Sequence, residues 1–152
     1  MYYMPKKIGP KDAKKPSKIF QHTSRLSIHD EYITPFAAIR FSKKINGRGV
    51  FATASYDKGE IIEIAPAILQ ELKFNMGNLS DYTFGCGENH VLMGCGFTPM
   101  YNHSDKPNAN WETINNNKVK ITALRDIEPD EEIFISYGDS YFAQREYISK
   151  TS

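Results

Sequence analysis

The residues best suited to chemistry in this chain are an asparagine-histidine pair and a tyrosine. The pair lies inside Tyr101-Asn102-His103-Ser104, followed by Pro107-Asn108, and the tyrosine ends the later run Ile135-Ser136-Tyr137-Gly138. Asn-His-Ser and Pro-Asn favour turns, through short side-chain-to-backbone hydrogen bonds and the fixed φ of proline. An asparagine amide carries both a donor and an acceptor, which suits a nucleobase edge or an ammonium-carboxylate group. Adjacent side chains diverge in an extended segment, whereas in a bent one they can hold a ligand from two sides. Tyr137 reads as a phenol that a buried strand delivers to the turn at Gly138. Each group also has a plainer reading: a turn asparagine, a satisfied histidine, a half-buried tyrosine with a local partner. Gly47-Arg48-Gly49 is a further candidate, because glycines so spaced admit close approach of backbone to a ligand, or φ > 0. A hairpin turn has the same composition, and without a third glycine and a following helix it is not a dinucleotide fingerprint. His22, His29, His90 and His103 show no paired ligand spacing, so no metal is expected.

Short strands must position these groups. From Ile33 the chain is a series of apolar runs separated by turns. They are Ala37-Ala38-Ile39-Arg40-Phe41, then Val50-Phe51-Ala52, then Glu60 to Ala65 after a turn at Asp57-Lys58-Gly59. Pro66 predicts an edge or bulge at the end of that strand, before Ala67-Ile68-Leu69. Glycines at 85, 87, 94 and 96 bracket His90-Val91-Leu92-Met93, which fits short strands joined at bends better than a helix. Val119 to Leu124 alternates as a half-buried strand, Glu132 to Ser136 predicts another, and Asn115-Asn116-Asn117 predicts a hairpin loop. Only Tyr141 to Lys150 has a helical pattern, after a cap at Asp139 or Ser140. This spacing predicts a mainly β fold.

A chain of 152 residues with 40% hydrophobic and 24% charged residues fits one globular domain with a sizeable core. The net charge of +1 gives no general affinity for polyanions. The charge is uneven, however: the first twenty residues hold six lysines and one acid, and Asp126 to Glu132 holds five acids. The Lys- and Pro-rich start predicts a flexible basic arm, solvated or docking to nucleic acid or an acidic partner. The acidic run predicts a solvated turn or a surface that attracts a basic peptide. Cys86 and Cys95 are too few for a disulfide scaffold or a four-thiolate zinc site, which points to a reduced, intracellular setting. No stretch approaches the roughly 20 apolar residues of a membrane span, and no signal peptide is evident, so neither membrane insertion nor secretion is expected.

Four blocks occur in a telling order: Gly47-Arg48-Gly49-Val50-Phe51-Ala52, Tyr101-Asn102-His103-Ser104 with Pro107-Asn108, Ala123-Leu124-Arg125-Asp126-Ile127, and Asp130 to Gly138. Together they resemble the SET-domain protein-lysine methyltransferases, over the stretch from Ile39 to Tyr141. The resemblance implies a SET-domain (β-clip-like) fold of small curved sheets with a C-terminal pseudoknot, to which the helical pattern adds a short C-terminal helix. It implies S-adenosylmethionine as methyl donor, with S-adenosylhomocysteine as product, held by Gly47, Arg48, Gly49, Tyr101, Asn102, His103, Tyr137 and Phe142. It also implies that Tyr137 is catalytic and that Trp111, Ile135 and Tyr137 line the lysine channel. The chemistry is in-line attack of an amine on a sulfonium methyl, with the reacting atoms held about 3–3.5 Å apart. An apolar channel and the adjacent sulfonium charge lower the lysine pKa, and a tyrosine hydroxyl with backbone carbonyls can orient the amine.

This chain departs from many eukaryotic members of that family. Asp105 stands where they have a cysteine and no cysteine follows Cys95, so zinc is not expected. The channel is then left to be closed by Gly138 to Ser152 or by another subunit, which keeps a homodimer open. Tyr141 and Phe142 are candidates to stack on adenine, or else core helix residues. No tyrosine stands near Ala65, where many members have one lining the channel. The expected organisation is a basic N-terminal arm over 1–32 and a SET domain with a short C-terminal segment over 33–152. The expected substrate is a lysine in a basic tail, as in histones or ribosomal proteins. A catalytically silent SET-like module that recruits partners is the alternative, and a small β-rich nucleic-acid-binding domain using the basic arm is a third.

Overall fold

The computed structural model describes residues 32–72, 77–139 and 141–142. Among the described residues nine strands carry the chain. β1 (Ala37–Ser42) and β2 (Gly47–Ala52) form an antiparallel hairpin, with Ser42 opposite Gly47. Its turn falls on 43–46, where Asn46 takes φ 54°. Asparagine tolerates that left-handed conformation because its short side chain bonds locally. Gly47-Arg48-Gly49 is therefore strand and not turn.

A five-stranded sheet has the order β4-β5-β3-β8-β7, built from β3 (Ile61–Glu71), β4 (Thr83–Gly85), β5 (His90–Gly94), β7 (Ala109–Ile114) and β8 (Lys118–Ala123). β3 does not stop at Pro66. It pairs with β8 from Ile61 to Pro66 and with β5 from Ala67 to Glu71. The proline sits at the change of partner, where its missing N–H costs little, and its carbonyl accepts from Cys95 N at 2.9 Å. The β7–β8 turn uses Asn115 and Asn116 at φ 50° and 54°, the hairpin loop expected from the asparagine run. A 3-10 turn over Gly77–Tyr82 precedes β4.

The third sheet matters most. β6 (Asn102–His103) runs parallel to β9 (Phe134–Ile135), with Asn102 opposite Phe134 and His103 opposite Ile135. The strand expected from Glu132 to Ser136 is thus only two residues long. Asn108 explains the shortening: its side chain donates to Glu132 O at 2.8 Å and accepts from Phe134 N at 2.7 Å, replacing a strand partner. On its other side the segment is held by β2, through Ile133 N to Val50 O at 2.8 Å and Ala52 N to Glu131 O at 2.9 Å. The C-terminal segment is thereby clasped between β2 and residues 102–108, the crossing expected of the pseudoknot.

Val50, Leu92, Val119, Ile121, Ile127 and Ile133 are fully buried and join the sheets in one core. Each contributes about 1.5–3 kcal/mol by burial. Asp139, Tyr141 and Phe142 have helical backbone, while the rest of the helix expected over Tyr141 to Lys150 lies outside the described residues. Residues 1–31 of the basic arm lie outside them too. Among the described residues no helix is long and apolar enough to cross a membrane.

Candidate functional site

The parallel pairing of β6 with β9 brings the asparagine-histidine pair and the tyrosine into contact. The Tyr137 N–H donates to His103 Nδ1 at 3.0 Å, and the Tyr137 hydroxyl donates to the Tyr101 carbonyl at 2.7 Å. Because Nδ1 is the acceptor, the imidazole proton sits on Nε2, which donates to Asp105 Oδ1 at 3.0 Å. The Tyr137 ring lies 5.4 Å from that of His103 and 4.7 Å from that of Tyr141. Phe142, 42% exposed, sets its edge against His103 at 4.7 Å.

Asn102 is oriented without ambiguity. Its Nδ2 donates to the Arg48 carbonyl at 2.8 Å and to Glu132 Oε1 at 2.9 Å. Turning the amide over would set its oxygen against two acceptors. Both amide protons are used, so Oδ1, which has no partner among the described residues, is left to meet a donor. Glu132 is itself nearly enclosed and also takes the Ser42 hydroxyl at 2.7 Å. Gly49 makes room for this arrangement. A Cβ there would lie 2.2 Å from Glu132 Oε1 and 3.1 Å from Asn102 Nδ2, whereas one at Gly47 would meet nothing nearer than 4.0 Å. Neither glycine has positive φ, so close approach is the reason for Gly49.

Two cavities flank β6 and β9. A narrow pocket of about 370 Å³, counted with its mouth open to solvent, is lined by Tyr82, Phe84, Tyr101, Trp111, Ile135, Tyr137 and Tyr141, together with Asp81, Thr83, Thr98 and Pro99. It holds all three residues expected in the lysine channel. Trp111 is fixed there by its Nε1–H to Ser136 O at 2.8 Å and by an edge contact with Phe84 at 5.1 Å. A wider, polar cleft of about 960 Å³ has His103, Phe134, Lys44, Asn108 and Glu132 in its wall. Adjacent β9 residues line different cavities, Ile135 the pocket and Phe134 the cleft. Lys44 Nζ stands 4.3 Å from the Phe134 ring centre at the edge of that cleft.

Some placements differ from the sequence reading. The phenol of Tyr101 is 1% exposed and turned into the core, where it donates to Glu63 Oε2 at 2.8 Å. Its backbone carbonyl is the group it brings to Tyr137. Ala65 is buried and lines a separate pocket with Tyr32 and Phe97, apart from the one that holds Trp111, Ile135 and Tyr137. Tyr82 and Phe84 line the pocket beside Trp111 and Tyr137, and no motif in the sequence marks them. The acidic run is only partly turned inward, with Asp126, Glu128 and Asp130 exposed. Asp130 pairs with Arg40, Glu131 with Arg125, and Glu132 turns inward. Partial burial alone would raise the Glu131 carboxyl. Hydrogen bonds from Arg125, Glu128 N and Asn108 override that and hold it below the usual carboxylate range. Among the described residues no cluster of His, Cys, Asp and Glu side chains could hold a metal ion.

A family model of the SET domain matches residues 47–138. A histone-lysine N-methyltransferase of Schizosaccharomyces pombe, H3 lysine-37 specific, is 34% identical over 109 residues, which span 68% of this chain and 74% of that protein. The crystal structure of a candidate histone methyltransferase from Plasmodium falciparum is 39% identical with a TM-score of 0.63, covering 72% of this chain and 99% of that one. A chain of an apo ctPRC2 complex with mutations in Ezh2 is 21% identical with a TM-score of 0.60, over 74% of this chain and 16% of that one, and shares the fold.

Proposed function

The chain belongs to the SET-domain family of protein-lysine methyltransferases, and on that premise we propose that it transfers a methyl group from S-adenosylmethionine to a lysine of a basic protein such as a histone. One observation carries the reading. The Tyr137 phenol and the Tyr101 carbonyl meet at 2.7 Å in the wall of the aromatic pocket, and the Tyr137 N–H donates to His103, which lines the cleft. On this reading a lysine side chain enters the pocket and the methyl donor lies against His103, which lines the cleft. Bound there, S-adenosylmethionine supplies an activated methyl group on a sulfonium.

The residues at hand suit the donor's amino-acid end. Asn102 Oδ1 faces a ligand as an acceptor and is matched to an α-ammonium, and Gly49 lets the Arg48 carbonyl and Asn102 come close. His103 and Phe142 offer ring edges for the nucleoside. In the pocket, Phe84, Trp111 and Ile135 exclude water, which lowers the pKa of an entering lysine and yields the free amine. Tyr137 Oη and the Tyr101 carbonyl then aim the amine lone pair at the methyl carbon. The N–C bond forms as the C–S bond breaks, and the extra amine proton leaves to solvent. A histone-type substrate sets the workplace of the protein in the nucleus or cytoplasm. On this reading the methyltransferase domain is assigned to residues 33–152, with the basic segment 1–32 ahead of it.

The experiment is incorporation of labelled methyl into histones and ribosomal proteins, with S-adenosylhomocysteine binding measured by calorimetry. Tyr137→Phe is expected to lose about 10²-fold in turnover, through lost orientation, while still binding S-adenosylhomocysteine. Unchanged turnover in that variant removes Tyr137 from the chemistry. Binding without any incorporation by the native chain would instead indicate a silent recruiting module.

A further inference from the structure

Glu63 has no part in the chemistry above, yet it is a carboxyl group buried to 2% exposure in the middle of the fold. Its position has a local cause. The β3–β8 register shifts between Ile61 and Glu63, and at this irregularity the consecutive residues Ile62 and Glu63 are both buried. Irregularities of this kind re-aim a side chain. Burial raises the Glu63 carboxyl above its ordinary range, while hydrogen bonds from Phe97 N and Tyr101 Oη oppose the rise. Burial, and then the charge of Glu63, push the Tyr101 phenol well above its ordinary range, so it keeps its proton and donates.

The two carboxylate oxygens hold two different segments. Oε1 accepts from Phe97 N at 2.8 Å, and Oε2 accepts from Tyr101 Oη at 2.8 Å. Gly96, at φ +63°, clears the space, since a Cβ there would lie 2.3 Å from Oε1. Thr98 and Pro99, which directly follow Phe97, line the aromatic pocket, and so does Tyr101. The Tyr101 carbonyl in turn receives the Tyr137 hydroxyl at 2.7 Å. An apolar pair of similar volume would fill the same space with less desolvation. The polar pair adds a fixed position for both segments.

We propose that Glu63 is a positioning residue for methyl transfer: it pins the 97–99 turn and Tyr101 together, and so sets the carbonyl that aims the Tyr137 phenol. This rests on Tyr137 as the catalytic tyrosine.

The test is a double-mutant cycle of Glu63→Gln and Tyr101→Phe in the full chain. It measures kcat, the KM for a histone substrate, S-adenosylhomocysteine affinity and thermal melting. Each single variant is expected to lower kcat by about tenfold or more, because misplacement by about 1 Å at a reacting centre costs about 10²-fold. Affinity for S-adenosylhomocysteine stays within about twofold, since Asn102 and Gly49 are held by Glu132 and not by Glu63. The double variant is expected to be no slower than the slower single, since both act through one contact. Tyr101→Phe keeps the ring in the core and decides the matter where Glu63→Gln does not fold. A kcat within twofold of native in the folded variants overturns the proposal, as do independent, multiplying losses. Native-level activity in Tyr137→Phe refutes the catalytic assignment itself, and is read separately from the cycle.

Discussion

Gly49→Ala, with Gly47→Ala as its control, separates two roles inside one short motif. The added methyl at 49 would lie 2.2 Å from Glu132 Oε1 and 2.8 Å from its Cδ. Glu132 cannot swing aside freely, because it is 9% exposed and held by Ser42 at 2.7 Å and Asn102 at 2.9 Å. Overpacking of this kind costs about 1–3 kcal/mol. Losing a hydrogen bond to a charged group costs about 1.5–3 kcal/mol. A total near 3 kcal/mol is expected, which lowers the melting temperature by roughly 6–12 °C for a chain of this size. With Glu132 displaced, Asn102 loses one of the two acceptors that fix its amide. Affinity for S-adenosylhomocysteine should then fall about tenfold or more, the equivalent of about 1.4 kcal/mol. Gly47→Ala meets its nearest atom at 4.0 Å and has no positive φ to strain. It should leave affinity unchanged and raise stability slightly, by about 0.4–1 kcal/mol through the unfolded chain. Thermal melts and calorimetry on both variants provide the check. Equal behaviour of the two, with melting within about 2 °C of native, would refute close packing at Gly49 as the reason for the motif.

Trp111→Phe leaves the Ser136 carbonyl without its 2.8 Å donor and should cost about 1–3 kcal/mol. Its signature is a raised KM for the protein substrate with unchanged S-adenosylhomocysteine affinity, and a shift in affinity alone would place Trp111 on the wrong side of β9. Glu131 gives a pH test. Its folded carboxyl lies below the usual value of 4.5, so its stabilisation is present above that value and is lost as pH falls through the lowered one. The melting gap between native protein and Glu131→Gln should therefore narrow on acidification below about 4.5, and a gap that stays constant to acid unfolding argues against the Arg125 contact as its source.

The acidic run shows how local pattern and tertiary placement can part. By composition Asp126 to Glu132 is a solvated turn. Yet Glu132, the last of these residues, is nearly enclosed beside Gly49 and Asn102, residues far away in sequence. No periodicity encodes that, because the partner that makes the carboxylate tolerable arrives by a long-range crossing. Glu63 was hidden for a similar reason. In sequence it is one acid in the apolar run Glu60-Ile61-Ile62-Glu63-Ile64, and it is buried next to Ile62 at the register shift against β8.

By itself the sequence determined the strand-rich texture, the turns at Asn115-Asn116-Asn117 and Gly59, and the motifs Asn102-His103 and Tyr137. These depend on local rules: alternation of burial, left-handed φ at Asn and Gly, and side chains that bond their own backbone. Tertiary structure alone decided which of those residues meet. Parallel pairing of two-residue strands has too few contacts to leave a pattern, and here it depends on the Asn108 side chain and on β2 gripping the same segment from opposite sides. It also decided that Tyr101 turns its carbonyl and not its hydroxyl towards Tyr137, and that Tyr82 and Phe84, not Ala65, line the pocket beside Tyr137. Burial of a side chain is a property of everything packed around it, and for a phenol or a carboxylate it follows from the partner that the fold supplies.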